Sequence, residues 1–100
     1  MRTAKVYNFG VYSGDLFEIE KYTKYKFAYA TGYDGRAVSL TLPVEKKEYL
    51  FAGFPPFFEG LLPEGMQLEA ILRSHKIDRH DFFSVLLVVG KDMVGSVTVE

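Results

Sequence analysis

The chain has 100 residues, enough for one domain with a single hydrophobic core that needs no metal or disulfide to fold. It contains no cysteine, which excludes disulfide bonds and thiolate zinc sites. Twelve basic and thirteen acidic residues give a net charge of −1, whereas binding a polyanion requires clustered Lys and Arg. We therefore expect a single domain over residues 1–100 with no direct nucleic-acid partner.

The hydrophobic residues do not form a membrane-spanning run. The longest apolar stretch, Val85–Val89, is far shorter than the roughly 20 residues that a membrane helix needs. We expect a cytoplasmic protein that has no membrane partner. Aromatic residues make up 16% of the chain, and aromatic rings are favoured at the centres of protein interfaces, so the composition leans towards a partner-binding domain.

The first half of the chain has the alternating pattern of β-strands. Strands are predicted at Ala4–Phe9 and Val11–Glu20, separated by a break at Gly10. Residues Lys24–Ala30 alternate cleanly, with three aromatic rings on one face. Residues Val38–Leu42 are predicted as a further strand whose three apolar side chains share a face. The first half thus predicts antiparallel hairpins.

After a charged stretch over residues 44–49 and a loop over residues 51–56, the pattern becomes helical. A short helical turn is predicted over Phe57–Leu62, because two prolines fix the backbone just ahead of it. A second helix is predicted to begin at Pro63 and Glu64. Its buried stripe follows the helical spacing and consists of Leu68, Ile71, Leu72 and His75.

A third helix is predicted between Asp78 as its N-cap and Gly90 as its stop, with Asp81 in the first turn. It is apolar on almost every side and is therefore expected to be the central core element. Residues Met93–Glu100 are predicted as a closing strand. This order predicts an α+β fold: an antiparallel sheet of about five strands with two to three helices packed mainly on one face.

Catalytic motifs are missing from the sequence. Neither GxGxxG nor GxxxxGK[ST] is present, and the HRD and DFG motifs of kinases are also missing. His75 and His80 lack a metal-ligand spacing; we expect His75 to be partly buried in its helix and His80 to be solvated. Glu59 and Glu64 lack the sugar cleft that a carboxylate pair would need. We expect a protein that is not an enzyme, with no catalytic, cofactor or metal site.

The segment FFEGLLPEG, Phe57–Gly65, is the most specific feature of the chain. Ordinary loops carry small polar residues, whereas this one carries paired Phe and paired Leu, as expected of a packing surface. Its rings either fill the core or are partly exposed anchors, and both alternatives stay open. Met66 begins the second helix away from the buried stripe, so it is either an adaptable contact or incidentally exposed.

From this segment we predict a partner-binding surface. The glutamates of the segment could meet basic residues on a partner. The predicted partner-binding residues are Phe57, Phe58, Glu59, Leu62, Pro63, Glu64, Gly65, Met66 and Gln67.

The order of these features resembles the N-terminal subdomain of the HipA-type serine/threonine kinases of bacterial toxin–antitoxin systems. The resemblance covers essentially the whole chain. It rests on a strand pair with Gly14 in its second strand, VSLTLP (Val38–Pro43), FFEGLLPEG, an amphipathic helix, DFFSVLLVVG (Asp81–Gly90) and VGSVTVE (Val94–Glu100).

In tripartite versions of these systems this subdomain is a separate small protein of the HipS type. The length and Met1 lead us to expect such a free-standing protein. The resemblance implies an antitoxin that binds a HipT-like kinase directly and inhibits it, with a HipB-like DNA-binding protein as a further possible member of the complex. The alternative is a non-inhibitory regulatory or structural subunit that docks on a HipA-type kinase or on its DNA-binding partner.

Overall fold

The computed structural model describes every residue except Val94. The strands are β1 (Arg2–Asn8), β2 (Val11–Glu20), β3 (Lys24–Tyr29), β4 (Glu48–Ala52) and β5 (Val97–Val99). The helices are α1 (Pro56–Glu59), α2 (Gly65–His75) and α3 (Phe82–Val89), which a single 3₁₀ turn (Gly90–Asp92) follows. The strands form one antiparallel sheet in the order β4-β3-β2-β1-β5. The predicted α+β fold is confirmed.

The first three strands form two consecutive hairpins, as their alternation predicted. Phe9 and Gly10 join β1 to β2 with φ angles of 51° and 78°. Two successive left-handed residues make the tight turn that matches the right-handed twist of the flanking strands. Glycine at the second position adopts this conformation without steric cost, which explains the break in the sequence pattern.

The strand predicted at Val38–Leu42 is wrong. Val38 and Leu42 are buried as expected, but Leu40 is 99% exposed, so the three side chains do not share a face. The backbone bends here because Leu42 N donates to Ser39 O over 3.0 Å and Thr41 N donates to the Ser39 hydroxyl. These local hydrogen bonds take the place of a strand ladder.

The fourth strand, β4, lies where a charged stretch and a loop were predicted. It pairs with β3 from Lys24↔Ala52 to Ala28↔Glu48. Its exposed positions include Glu48, while Tyr49 and Phe51 face the helix side and are half-buried. The charges that suggested a loop therefore lie before the strand and at its first residue.

The helices cover one face of the sheet, and the core lies between them. The ring of Phe58, from α1, is completely buried against this face, where its centroid lies 5.8 Å from that of Phe27. The α1 helix covers only Pro56–Glu59, a shorter span than the predicted Phe57–Leu62. The core residues are Ala4, Val6, Leu16, Tyr25, Phe27, Tyr29, Val38, Leu42, Phe58, Phe83, Leu86, Val97 and Val99.

The second helix lies at the margin of this core. It begins at Gly65, two residues later than predicted, with Glu64 as an N-cap whose side chain makes no capping hydrogen bond. Leu72 is its one fully buried residue, and Leu68 and Ile71 are half-buried. His75 is exposed, so its predicted place in the buried stripe is wrong. The last turn of α2 extends past the core, which leaves that position in solvent.

Only one side of the third helix packs into the core. Phe83, Val85 and Leu86 are completely buried, whereas Leu87 and Val88 are 38% and 39% exposed. Its N-cap is Asp81, whose carboxylate accepts a hydrogen bond from Ser84 N, and not Asp78 as predicted. Asp78 instead accepts from His80 N within the preceding turn.

The end of α3 packs closely on the last strand. A Cβ atom at Gly90 would clash with the backbone carbonyl of Val99, so only glycine fits between the helix end and β5. The strand β5 covers Val97–Val99 within the predicted Met93–Glu100. Val94, which belongs to that prediction, lies outside the described residues.

Candidate functional site

The structure separates the predicted partner-binding residues into a buried anchor and an exposed ridge. Phe58 is completely buried and acts as the anchor, so it is core and unavailable to a partner. Phe57, Leu62 and Pro63 are half-buried. The exposed members, which form the ridge, are Glu59, Glu64, Gly65, Met66 and Gln67.

Part of this ridge borders a groove of about 470 Å³, here called the α2–α3 groove. One wall is the connection between α1 and α2 with the first turns of α2, and the other is the end of α3 with the 3₁₀ turn. The groove is lined by Gly60, Leu61, Leu62, Pro63, Gln67, Ile71, Val88, Val89, Asp92 and Met93. It thus brings together three predicted residues, Leu62, Pro63 and Gln67, with side chains about 20 to 30 positions later.

Phe57 does not line this groove. It contributes to a smaller apolar cavity of about 170 Å³ beside β4. The ring packs edge-on against Phe58, with centroids 5.1 Å apart. The two adjacent phenylalanines therefore have different roles: Phe58 fills the core, and Phe57 lines a surface cavity.

Met66 is the one large apolar side chain of the ridge. Its side chain is 90% exposed in the first turn of α2, next to Gln67 of the groove wall. It contributes nothing to the hydrophobic core, which agrees with the prediction that it lies outside the buried stripe. A long, flexible apolar side chain in this position can adapt to a partner surface.

Carboxylates supply the charge around the groove. Asp92 lines it directly, and Glu59 and Glu64 flank its α1–α2 wall as exposed residues. The neighbouring Lys91 ammonium lies 3.6 Å from the Glu100 carboxylate and so already has a charge partner. The groove therefore combines mostly apolar lining side chains with one lining carboxylate, Asp92, and two exposed glutamates nearby in the sequence.

Sequence reasoning missed the α3 wall of this groove. Val88 and Val89 were assigned to a buried helix and Met93 to a closing strand, while Asp92 was assigned to neither. The available signal was that α3 is apolar on nearly all sides, which exceeds what one sheet face can cover. The apolar residues of α3 that the sheet does not cover, Val88 and Val89, form part of the groove wall.

An ionic network holds the start of α3 against the sheet. The Arg2 guanidinium on β1 donates to both Glu18 carboxylate oxygens, at 2.7 and 2.8 Å, and to an Asp81 oxygen at 2.8 Å. It also donates to the Ser84 hydroxyl at 2.8 Å and lies 4.9 Å from the centre of the Phe83 ring. Because Asp81 caps α3, this network fixes the helix that forms one wall of the groove.

The charges in the network are mutually stabilised. The hydrogen bonds from Arg2 lower the pKa of Glu18, against the opposing effect of burial. Burial raises the pKa of Asp81, but hydrogen bonds from Arg2 and Ser84 outweigh it, and the net pKa is lowered. Burial and the nearby Glu18 charge raise the pKa of Tyr25 to about 12, so its hydroxyl remains a hydrogen-bond donor to Glu18.

The described residues contain no group of three His, Cys, Asp or Glu side chains placed to hold a metal ion. His80 is exposed, as predicted, and its Nδ1 lies 3.4 Å from Asp78. Outside Val94, no helix is both long and apolar enough to cross a bilayer.

Comparisons with known proteins agree with this fold. The family model described as HipA N-terminal domain matches residues 4–100. A protein of Haemophilus influenzae (strain ATCC 51907 / DSM 11121 / KW20 / Rd), described as an uncharacterized protein, is 31% identical over 100 residues. That match covers 100% of this chain and 92% of the relative.

A solved structure described as the N-terminal domain of HipA toxin is similar with a TM-score of 0.74 and 29% sequence identity. The match covers 100% of this chain and 93% of that chain. Since the family model spans nearly the whole chain and the fold agrees, this protein belongs to the HipA N-terminal domain family.

Proposed function

We propose that this protein is an antitoxin that binds a HipT-like serine/threonine kinase and inhibits it by direct contact. The observation that carries the proposal is the exposed Met66 beside a groove whose lining side chains are mostly apolar, at the FFEGLLPEG segment of a domain of the HipA N-terminal family. An apolar surface of this kind, rimmed by polar groups, is typical of protein-binding sites. A HipB-like DNA-binding protein is a further expected member of the complex.

The proposed contact uses Met66 and the α2–α3 groove, while Phe58 is buried in the core and fixes α1 on the sheet. Apolar side chains of the kinase would fill the groove, and its basic residues would face the carboxylates of Asp92, Glu59 and Glu64. Such charges mainly set orientation and association rate, whereas the apolar contacts supply most of the affinity.

A non-enzymatic role fits this surface. The chain would act by occupying the kinase rather than by transferring phosphate itself. Saturable binding of labelled ATP by the purified protein, or phosphate transfer by it, would contradict this part of the proposal.

The first experiment measures binding and inhibition together. A HipT-like kinase encoded in an adjacent reading frame is purified, and its autophosphorylation is followed with and without this protein. Inhibition supports the antitoxin role. Binding without inhibition would instead favour the non-inhibitory subunit. No binding would refute the antitoxin role and leave only a subunit that docks on the DNA-binding partner.

Met66→Asp tests the location of the contact. It places a charge where an apolar contact is proposed, at a side chain that is 90% exposed, so the fold should tolerate it. A central interface contact contributes about 2 kcal/mol or more, so affinity for the kinase should fall at least about thirtyfold. Inhibition of autophosphorylation should weaken in parallel.

Phe9→Asp is the matched control. Phe9 is also an exposed apolar residue, 65% accessible, but it lies in the β1–β2 turn outside the ridge. Asp followed by Gly10 suits that turn, so the fold should persist. If Met66→Asp keeps both its melting temperature and its affinity, or if both variants weaken binding equally, the ridge is not the binding surface.

A further inference from the structure

The two edges of the sheet differ in whether their backbone groups are covered. At the β5 edge, Lys5 and Glu100 exchange both backbone hydrogen bonds at 2.9 Å, so the carbonyl of Val99 points away from β1. Gly90 packs directly on that carbonyl. The end of α3 therefore covers this short edge.

The β4 edge is open. Tyr29 N donates to Lys47 O over 2.9 Å, which marks that pair as hydrogen-bonded. Bonding alternates along an antiparallel ladder, so the backbone groups of Glu48, Leu50 and Ala52 point away from β3. Among the residues that the structure describes, none forms a hydrogen bond with these outward groups.

The side chains around this edge are also unprotected. Leu50, at the middle of β4, is 68% exposed. Within Glu48–Ala52 the one charged residue is Glu48 at the start of the strand, and the strand has no Lys, Pro or bulge to prevent strand addition at the edge. An open edge with an apolar centre favours pairing with another extended chain.

Two cavities flank the same strand. One, of about 420 Å³, is lined by Glu20, Thr23, Lys24, Leu50, Phe51 and Ala52. The other, of about 170 Å³, lies on the helix side and is lined by Thr41, Leu42, Tyr49, Phe51, Pro56 and Phe57. Because side chains of an added strand alternate between the two faces, successive residues could enter the two cavities in turn.

We propose that the kinase contributes an extended segment that pairs with β4 as a sixth strand. The segment has apolar side chains at alternate positions, and the outward backbone groups of Glu48, Leu50 and Ala52 recognise its main chain. This inference rests on the proposed function, because the kinase is the partner. It adds a second contact, whose flanking cavities share no lining residue with the α2–α3 groove.

A kinase segment fits this edge better than a second copy of the chain. Five residues of β4 span only about 17 Å. A stable dimer generally buries at least about 1,200 Å², which a contact of this length does not supply alone. A kinase that also occupies the groove does not depend on the edge for its whole interface.

Leu50→Pro tests the backbone contact. Proline removes the outward N–H of residue 50, and it leaves the ladder with β3 intact because that N–H does not face β3. The control is Leu50→Thr, which also removes the leucine side chain but keeps the N–H and favours a strand. Affinity for the kinase should be at least about tenfold weaker for Leu50→Pro than for Leu50→Thr, at equal melting temperatures.

Amide hydrogen exchange on the unaltered protein provides a second measurement that is independent of any variant. The amides of Glu48, Leu50 and Ala52 should exchange more slowly in the kinase complex. If the kinase binds but these amides stay unprotected, the edge inference is overturned and the proposed function stands. If the kinase does not bind, both fail. A concentration-dependent dimer in ultracentrifugation that Leu50→Pro abolishes would assign the edge to a second copy and also overturn the inference.

Discussion

Leu86 and Leu87 are adjacent leucines on α3 with opposite environments, and they allow a paired test of the core. Leu86 is completely buried among the core residues, whereas Leu87 is 38% exposed. Truncation to alanine removes the same atoms at both positions. Any difference between the two variants therefore reports burial and packing rather than chemistry.

Leu86→Ala should lower the free energy of unfolding by about 3 kcal/mol, within the 2–5 kcal/mol typical of buried leucines. The loss combines the transfer free energy of the removed groups with the cost of a cavity that the rigid sheet beneath cannot fill. Leu87→Ala should cost only about 1 kcal/mol, because part of that side chain is already in water and solvent can occupy the space. The expected difference is about 2 kcal/mol, which is a large share of a small domain's stability.

Urea titration followed by circular dichroism measures both values. In both variants the free energy of unfolding should fall with urea concentration at the same slope as in the unsubstituted protein, since neither substitution changes the surface exposed on unfolding. For a domain of this size, 3 kcal/mol corresponds to a fall in melting temperature of roughly 12–24 °C. A loss below about 1 kcal/mol for Leu86→Ala, or equal losses for the two variants, would refute the assignment of α3 as the central core helix.

Two further predictions concern the ends of α3. Glu18 and Asp81 have lowered pKa values in the folded protein, so the unfolded chain binds protons more readily. The contribution of these two carboxylates to the free energy of unfolding should be complete above their ordinary pKa values of 4.5 and 3.8. It should be lost as the pH falls through their lower pKa values in the folded protein. Glu18→Gln should flatten this dependence, because it removes one carboxylate from Arg2; an unchanged acid titration would argue against the network. Gly90→Ala should cost about 1–3 kcal/mol, because its Cβ would clash with a β5 carbonyl. Gly60→Ala is its control, with the nearest atoms at 3.5 Å, and equal melting temperatures for the two variants would contradict the tight packing.

The sequence alone determined the elements whose signal is local. The alternation of Tyr25, Phe27 and Tyr29 placed β3 correctly, because burial of one sheet face imposes a period of two on a strand. The apolar run after Asp81 located α3 and its stop at Gly90. The FFEGLLPEG segment was singled out because its composition is unusual for a connection, and its Leu62 and Pro63 line the α2–α3 groove; its role in partner binding stays a prediction.

The tertiary structure decided what depends on distant partners. Val38–Leu42 alternates like a strand but has no neighbouring strand, so local hydrogen bonds bend it instead. Asp81 caps α3 in place of Asp78 while bonded to Arg2, which lies 79 residues earlier in the chain.

The open edge at β4 and the α3 wall of the groove also depend on contacts between residues that are distant in sequence. Periodicity shows which side chains share a face, but not which faces meet or which edge is left unpaired. Those choices follow from packing between residues far apart in sequence, and the proposed binding surfaces lie where that packing leaves Leu50 and Val88 uncovered.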